Sequence, residues 1–325
     1  MLELEDLSEV LRRAAEEPQS FQGFLLIKQR TVKMTKRGDP FLHLTLADAT
    51  AAVTGVVFAD HSAYETLRDP ETVFIALRGV VENNPTYGMQ LVIREARPVR
   101  DADRELGFDE SRLVPSTPYD IDALWREALE LVESIAEEAL REVVRELLTA
   151  HEEQLRRAPA ARTIHQAYRG GLLEHMVFVA RDARYYADKY PELDADLLLA
   201  GALLHDIGKL VELDDGPPYD YTDAGRLMGH LYQGARMIEE AATTAELEND
   251  KTMQLVHLIL SHHGEREYGA VTTPKTREAV LLHYLDNIDA KLAIFRRYVA
   301  QAGPGNWTEP AWELGRAPLW KGGDD

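Results

Sequence analysis

Eleven histidines stand in this 325-residue chain, and eight of them fall between residue 159 and residue 325: His165, His175, His205, His230, His257, His262, His263 and His283. A helical segment built for stability alone has little reason to collect so many. Five occupy distinctive settings. His175 ends GGLLEH, His205 opens HDIGK with Asp206 beside it, His230 ends MGH, and His262 and His263 form SHHG. Downstream, LHYLDNIDAK carries Asp286 and Asp289, three apart and therefore on one helix face. Neutral imidazole with carboxylate is the ligand set for Mn²⁺, Fe²⁺, Co²⁺, Zn²⁺ or Mg²⁺ where thiolates are absent, and the chain has no cysteine. A carboxylate has two oxygens and can bridge two metals, whereas the imidazole beside it binds one. Two ions about 3.5–4 Å apart activate a water and stabilise both the attacking and the leaving oxygen of a phosphoryl transfer. A lone His-Asp pair is ordinarily a capped helix end. The ordered series H…HD…H…HH…D, each on an expected helix, points instead to a metal centre.

The remaining candidates divide quickly. Lys209, one turn beyond His205, is placed to reach a substrate phosphate as a point charge; the plainer alternative is a solvated cation at a helix end. His257 and His283 read as core or surface residues, and His43, His61 and His151 suggest no role. The chain contains no G-x-S-x-G and no GxxxxGK[ST], which removes serine-nucleophile and P-loop chemistry. Gly170-Gly171 lacks the strand–turn–helix setting of a dinucleotide loop.

Two kinds of element must position these residues. Residues 21–98 read as short strands: Phe21–Thr35, a turn at Lys36-Arg37-Gly38-Asp39, Phe41–Ala47, Ala51–Phe58, a helical patch His61–Arg68, then Thr72–Val81 and Met89–Val99. Three strands, a short helix and two strands is the element order of a five-stranded OB-fold β-barrel. Pro115, Pro118 and many acids mark a linker, and apolar positions from Leu124 to Val143 keep a helical period from Asp120 to about Leu155. Helices are expected at Gly171–Tyr190, Asp194–Leu213, Gly225–Thr243, Asn249–His263 and Thr276–Val299. The expected organisation is a multi-domain α+β chain: an N-terminal helix in 1–20, the OB-fold in 21–100, a linker and connecting helix in 101–158, an all-α domain in 159–300, and a tail packed on the body in 301–325.

Charge narrows the partners. The formal net charge is −20, yet residues 21–100 carry 10 basic and 8 acidic groups, while 101–158 carry 7 and 16. The bulk of the chain should repel polyanions. Lys28, Arg30, Lys33, Lys36 and Arg37 lie within ten residues with no acid among them, and read either as a solvated strand face or as a face for an anionic ligand such as nucleic acid. Phe24, Phe41, Phe58 and Tyr87 are the candidate base-stacking platforms beside them. No apolar run approaches the ~20 residues of a membrane span, and the acidic start MLELEDLSEVLRR lacks a secretory core, so a cytoplasmic protein is expected.

The doublet His205-Asp206 resembles the signature of the HD superfamily of metal-dependent phosphohydrolases. An OB-like segment followed by GGLLEH, HDIGK, GH, SHHG and LHYLDNIDAK resembles the YhaM family of 3′-to-5′ exoribonucleases. PAAR at 159–162, YTDAGRLMGH at 221–230 and the GNWTE…LWK tail at 305–321 extend the likeness over nearly the whole chain. The resemblance implies an HD domain with one metal held by His175, His205, Asp206 and Asp286. It implies a second centre served by Asp206, His230, His262 and His263. Asp286 is preferred to Asp289 because the last ligand of the superfamily is typically the first acid of such a pair. Where the family often has a His-His doublet, this chain has His165-Gln166, so His165 joins Asp289 as an additional candidate. The implied function is metal-dependent hydrolysis of single-stranded RNA from its 3′ end to nucleoside monophosphates, with His205, Asp206 and Lys209 at the reaction. Two divalent ions per chain are expected, manganese first, with Mg, Co, Fe or Zn as alternatives. Single-stranded DNA is a secondary substrate and a homo-oligomer a further expectation. The rivals are a nucleotide phosphohydrolase, a cyclic-nucleotide phosphodiesterase (disfavoured because EREYGAVTTPK after SHHG has no Gly-Tyr-Pro) and a non-catalytic single-strand binding module.

Overall fold

A computed structural model describes residues 5–162, 166–303 and 305–322. The chain divides into two compact units: one runs to Ser116 and includes Gly216–Pro218, and the other begins at Thr117.

The first unit opens with helix α1 (Leu7–Ala14), whose Leu7, Val10 and Ala14 face are buried with the barrel core. Its start is fastened by Asp48, whose Oδ2 accepts from the Leu7 N–H at 2.7 Å. Strands β1 (Gln19–Met34), β2 (Pro40–Ala47) and β3 (Ala52–Phe58) follow, then the short helix α2 (Tyr64–Arg68), then β4 (Phe74–Asn84) and β5 (Gly88–Pro98). They close into a barrel in the order β1-β2-β3-β5-β4, with β3 and β5 parallel and the other pairs antiparallel. This is the OB-fold expected from the element order. Alternation explains the closure: Leu42, Leu44 and Leu46 point inward with Leu25, Ile75 and Leu91, and all six are fully buried.

The stretch 101–158 departs from the sequence reading of a linker and one helix. Phe108, Leu113 and Val114 form a small core with Leu26, so the proline-containing part is packed against its own unit. The expected single helix is three: α3 (Ile121–Glu133), α4 (Glu138–Ala150) and α5 (Glu152–Leu155). The break between α3 and α4 is held by Asp196, whose carboxylate accepts from the Ala136 and Glu137 N–H groups at 3.1 and 2.8 Å. A side chain sixty residues away supplies those acceptors, so the local period carried no sign of the break.

The second unit continues with α6 (Gly171–Lys189), α7 (Ala195–Leu204), α8 (Lys209–Glu212), α9 (Asp223–Thr244), α10 (Asn249–Ser261) and α11 (Arg277–Gln301). Helix α7, LLLAGALL at its heart, is buried on every side from Leu197 to Leu204, as an all-round apolar helix must be. The tail is a hairpin, β6 (Trp307–Ala311) and β7 (Ala317–Trp320), with Glu313 accepting from Arg297 and Tyr298 of α11 at 2.7 and 2.8 Å. Among the described residues no helix is long and apolar enough to cross a membrane.

Candidate metal centre

The HD doublet sits where the fold interrupts a helix. The sequence pattern predicts one helix over Asp194–Leu213, but α7 stops at Leu204 and α8 begins at Lys209. Within the interruption Gly208 allows a close approach: a Cβ there would lie 2.0 Å from the carbonyl oxygen of His230. The intervening turn aims both His205 and Asp206 inward, where each is essentially inaccessible to solvent.

Around Asp206 the side chains fall into two sets. His175 of α6, His205 and Asp206 form one group of converging ligand atoms, and His230, His262 and His263 form another, each group within 4.8 Å. Asp206 Oδ2 lies 3.6 Å from His175 Nε2 and 3.5 Å from His205 Nε2, while its Oδ1 lies 3.7 Å from Nε2 of both His230 and His262. One carboxylate therefore faces both sets, one oxygen to each. Asp286 Oδ1 joins the first set, 3.1 Å from His175 Nε2 and 4.0 Å from His205 Nε2. His263 Nε2 lies 3.3 Å from His230 Nε2 in the second.

Backbone and carboxylate partners hold the far side of these rings. His205 Nδ1 meets the Ala202 carbonyl at 2.9 Å, and His262 Nδ1 meets that of Ile259 at 2.8 Å. His175 Nδ1 is 2.7 Å from Asp289 Oδ2, and His230 Nδ1 is 2.9 Å from Glu212 Oε1. A carbonyl or carboxylate on Nδ1 makes that nitrogen the donor and leaves the Nε2 lone pair free to bind a cation. Four Nε2 atoms thus converge on Asp206, whose buried Oδ1 has no hydrogen-bond partner among the described residues. An orphaned carboxylate oxygen facing imidazole lone pairs fits a divalent cation and is costly without one.

Without a cation, the electrostatics favour a charged His175, whose Nε2 proton a bound cation would have to displace. Burial resists the ionised carboxylate of Asp206, but the Lys209 ammonium and the neighbouring imidazoles hold its carboxyl well below the usual range. Asp286 is likewise depressed, with His175 outweighing burial. Burial also opposes charge on His175, yet Asp286 and Asp289 raise it to about 10. His263 is pushed down to about 3 by burial and then by His262 and His230. The first set is rich in carboxylate, and burial favours neutral imidazole at His262 and His263 in the second, a donor set suited to divalent metal.

The other residues singled out in the sequence separate by position. Asp286 and Asp289 part company across one ring, Asp286 on the Nε2 side of His175 and Asp289 on the Nδ1 side. Lys209 does not reach outward as a phosphate contact would; it is buried with Nζ 2.6 Å from Asp206 Oδ2, because an i,i+3 step across the turn folds it back on the doublet. His165 lies outside the described residues. Gln166, in the place of the family's second histidine, is buried and donates from Nε2 to Asp289 Oδ2 at 3.0 Å. His283 is not idle, since its Nδ1 meets the His262 carbonyl at 2.8 Å. Glu212 escaped the sequence reading: it stands six residues past Asp206 in no motif, and only the return of α9 brings His230 to it.

The basic stretch is divided by strand alternation. Lys33 pairs with Phe41 and Phe41 with Phe58 across the sheet, so these three share a face; the two rings lie 5.9 Å apart and Phe58 is exposed. Lys36 and Arg37 are exposed in the turn after β1. Arg30 pairs with inward-facing Leu44, and its Nη2 donates to the Thr72 carbonyl at 2.5 Å. Its guanidinium is therefore tied to the fold. Lys28 sits at the β1 irregularity between Ile27 and Gln29. Phe24 packs edge-on against Phe108 at 5.4 Å and is no open platform, whereas Tyr87 is exposed in the turn between β4 and β5.

The chain is similar to known proteins over most of its length. Residues 172–291 match the HD domain family. The chain is 31% identical over 298 residues to 3′-5′ exoribonuclease YhaM of Bacillus subtilis (strain 168), covering 92% of this chain and 93% of that protein. It is 33% identical over 304 residues to 3′-5′ exoribonuclease YhaM of Oceanobacillus iheyensis, covering 93% and 94%. Among solved structures, asparaginyl-tRNA synthetase from Pyrococcus horikoshii aligns at 14% identity and a TM-score of 0.24 over 46% of this chain and 36% of that one, a likeness too slight to carry an argument.

Proposed function

The chain belongs to the YhaM 3′-5′ exoribonuclease family, and from that premise we propose how its own residues divide the work. It is a metal-dependent 3′-5′ exoribonuclease carrying an HD phosphohydrolase domain. The observation that carries the assignment of roles is the carboxylate of Asp206, which offers Oδ2 to His175 and His205 and Oδ1 to His230 and His262.

We assign two divalent ions to the site, manganese first. His175, His205 and Asp286 would hold one, His230, His262 and His263 would hold the other, and Asp206, with one oxygen facing each set, would serve both. When bound, the ions supply Lewis-acid charge at the scissile phosphodiester and at the water that cleaves it. Lys209 keeps Asp206 ionised and fixes its orientation. Asp289, itself held by the Gln166 amide, steadies the His175 ring from behind. On the barrel, Lys33, Lys36 and Arg37 contact phosphates, and Phe41, Phe58 and Tyr87 offer faces to bases. The product is a nucleoside monophosphate, and single-stranded DNA is the secondary substrate.

Digestion of 5′-end-labelled RNA by purified protein across a panel of divalent ions tests this reading. A descending ladder from the 3′ end is expected, strongest with Mn²⁺ and abolished by chelation. A circular RNA of the same sequence should resist. Rapid cutting of the circle, or hydrolysis that survives the chelator, overturns it.

A further inference from the structure

We propose that Glu212 is the positioning residue of the second metal site, seating His230 by gripping its ring and its backbone together. The proposal rests on the two-ion reading above.

Helix α9 is not continuous: Gly229 has φ +69° and ψ 164°, which breaks the run just before His230. A helix that restarts has amide N–H groups with no intrahelical acceptor. Here the His230 N–H is taken by Glu212 Oε1 at 3.0 Å, and the same oxygen lies 2.9 Å from His230 Nδ1. The carboxylate thus serves as a remote cap and as a ring partner. Both groups facing Oε1 must donate, so Nδ1 carries the proton and Nε2 is left bare toward Asp206 and His263.

Two glycines let this grip form. A Cβ on Gly225 would lie 2.2 Å from the Glu212 carbonyl oxygen, and one on Gly208 would lie 2.0 Å from the His230 carbonyl oxygen. The backbones of α8 and α9 therefore touch on either side of the Glu212–His230 contact. Asp206, Lys209 and Glu212 lie on one short stretch, so the turn before α8 supplies the Asp206 carboxylate and the end of α8 supplies the clamp on His230. Only 13% of the Glu212 side chain is exposed, and water competes little for Oε1.

The test is a Mn²⁺ titration of full-length, metal-free protein, with free Mn²⁺ read by electron paramagnetic resonance, for wild type, Glu212→Gln, Glu212→Ala and the reference His230→Ala. The amide oxygen of Gln can still accept both hydrogen bonds, whereas Ala accepts neither. We expect two ions for wild type and for Glu212→Gln. Glu212→Ala should weaken one ion about 10–100-fold, as His230→Ala does, and leave the other unchanged. In the metal-free proteins, ring nitrogen shifts should show His230 protonated at Nδ1 in wild type and Glu212→Gln and a tautomer mixture in Glu212→Ala. A wild-type isotherm for Glu212→Ala beside a lost ion in His230→Ala overturns the role of Glu212 and leaves the two-ion reading standing. An unchanged isotherm for His230→Ala overturns both. Equal weakening of both ions in Glu212→Gln and Glu212→Ala, with a lowered melting temperature, makes Glu212 a general fold residue and overturns the proposal as well.

Discussion

Asp289 Oδ2 lies 2.7 Å from His175 Nδ1, on the opposite edge of the ring from the Nε2 that faces Asp206 and Asp286. Two acids three residues apart on α11 thus take different jobs around one imidazole: Asp286 joins the converging ligand atoms, and Asp289 sets the ring's tautomer and angle.

The two acids should therefore fail differently. Asp286→Asn removes a ligand charge and should lower hydrolysis by on the order of a thousandfold or more, in line with losing several kcal/mol of metal-centred stabilisation. Asp289→Asn keeps an acceptor for Nδ1 and should cost only about 10–100-fold in metal affinity or rate. Parallel Mn²⁺ titrations and RNA-cleavage rates decide it, and the opposite ranking would exchange the roles.

His205→Ala and Asp206→Asn should both abolish hydrolysis while leaving circular dichroism and RNA binding near wild type. Asp206→Asn is the sharper test, because its size is unchanged and the bridging charge alone is lost. Bound metal per chain should fall, and wild-type activity in either variant would refute the site.

Alternation on β1 separates the basic residues by function. Lys33→Gln combined with Lys36→Gln should weaken binding of long single strands and flatten its salt dependence by about 0.7 per lost phosphate contact on a log–log plot. Cleavage of a p-nitrophenyl phosphodiester should change little. Arg30→Gln should instead lower the urea midpoint of the barrel, because its guanidinium serves the Thr72 carbonyl. A salt slope that moves with Arg30 as much as with Lys33 would contradict this division.

Acid should expose a separate device in the first unit. Asp103 takes two 2.6 Å hydrogen bonds from Arg97 and one of 2.7 Å from the Arg100 N–H, and Arg97 draws its carboxyl down from 3.8 to about 2. A depressed folded-state value means that the stability is fully present above about 3.8 and is lost as pH falls through about 2. Asp103→Asn should cost about 1–2 kcal/mol at neutral pH, less than the full shift implies because Arg97 is partly solvated. Urea unfolding from pH 7 to pH 2 should show the two proteins converging at the acid end.

The order of chemistry along the chain, H…HD…H…HH…D with no cysteine, was enough to point to a metal centre, because ligand chemistry depends on residue type; the phosphohydrolase reading came from the resemblance of those motifs to the HD superfamily. The period-two strands and the element order were enough for the barrel, because alternation and turns are local properties. Three features needed the tertiary structure. The break between α3 and α4 depends on Asp196, sixty residues away in sequence from Ala136. The different faces of Arg30 and Lys33 follow from register against β2, which pairs one with Leu44 and the other with Phe41. The partnership of Glu212 with His230 exists only because α9 returns along α8 and breaks at Gly229. A sequence specifies which groups can donate, accept or bind a cation; which oxygen of Asp206 meets which imidazole is set by where separate helices stop and how closely their glycines let them approach.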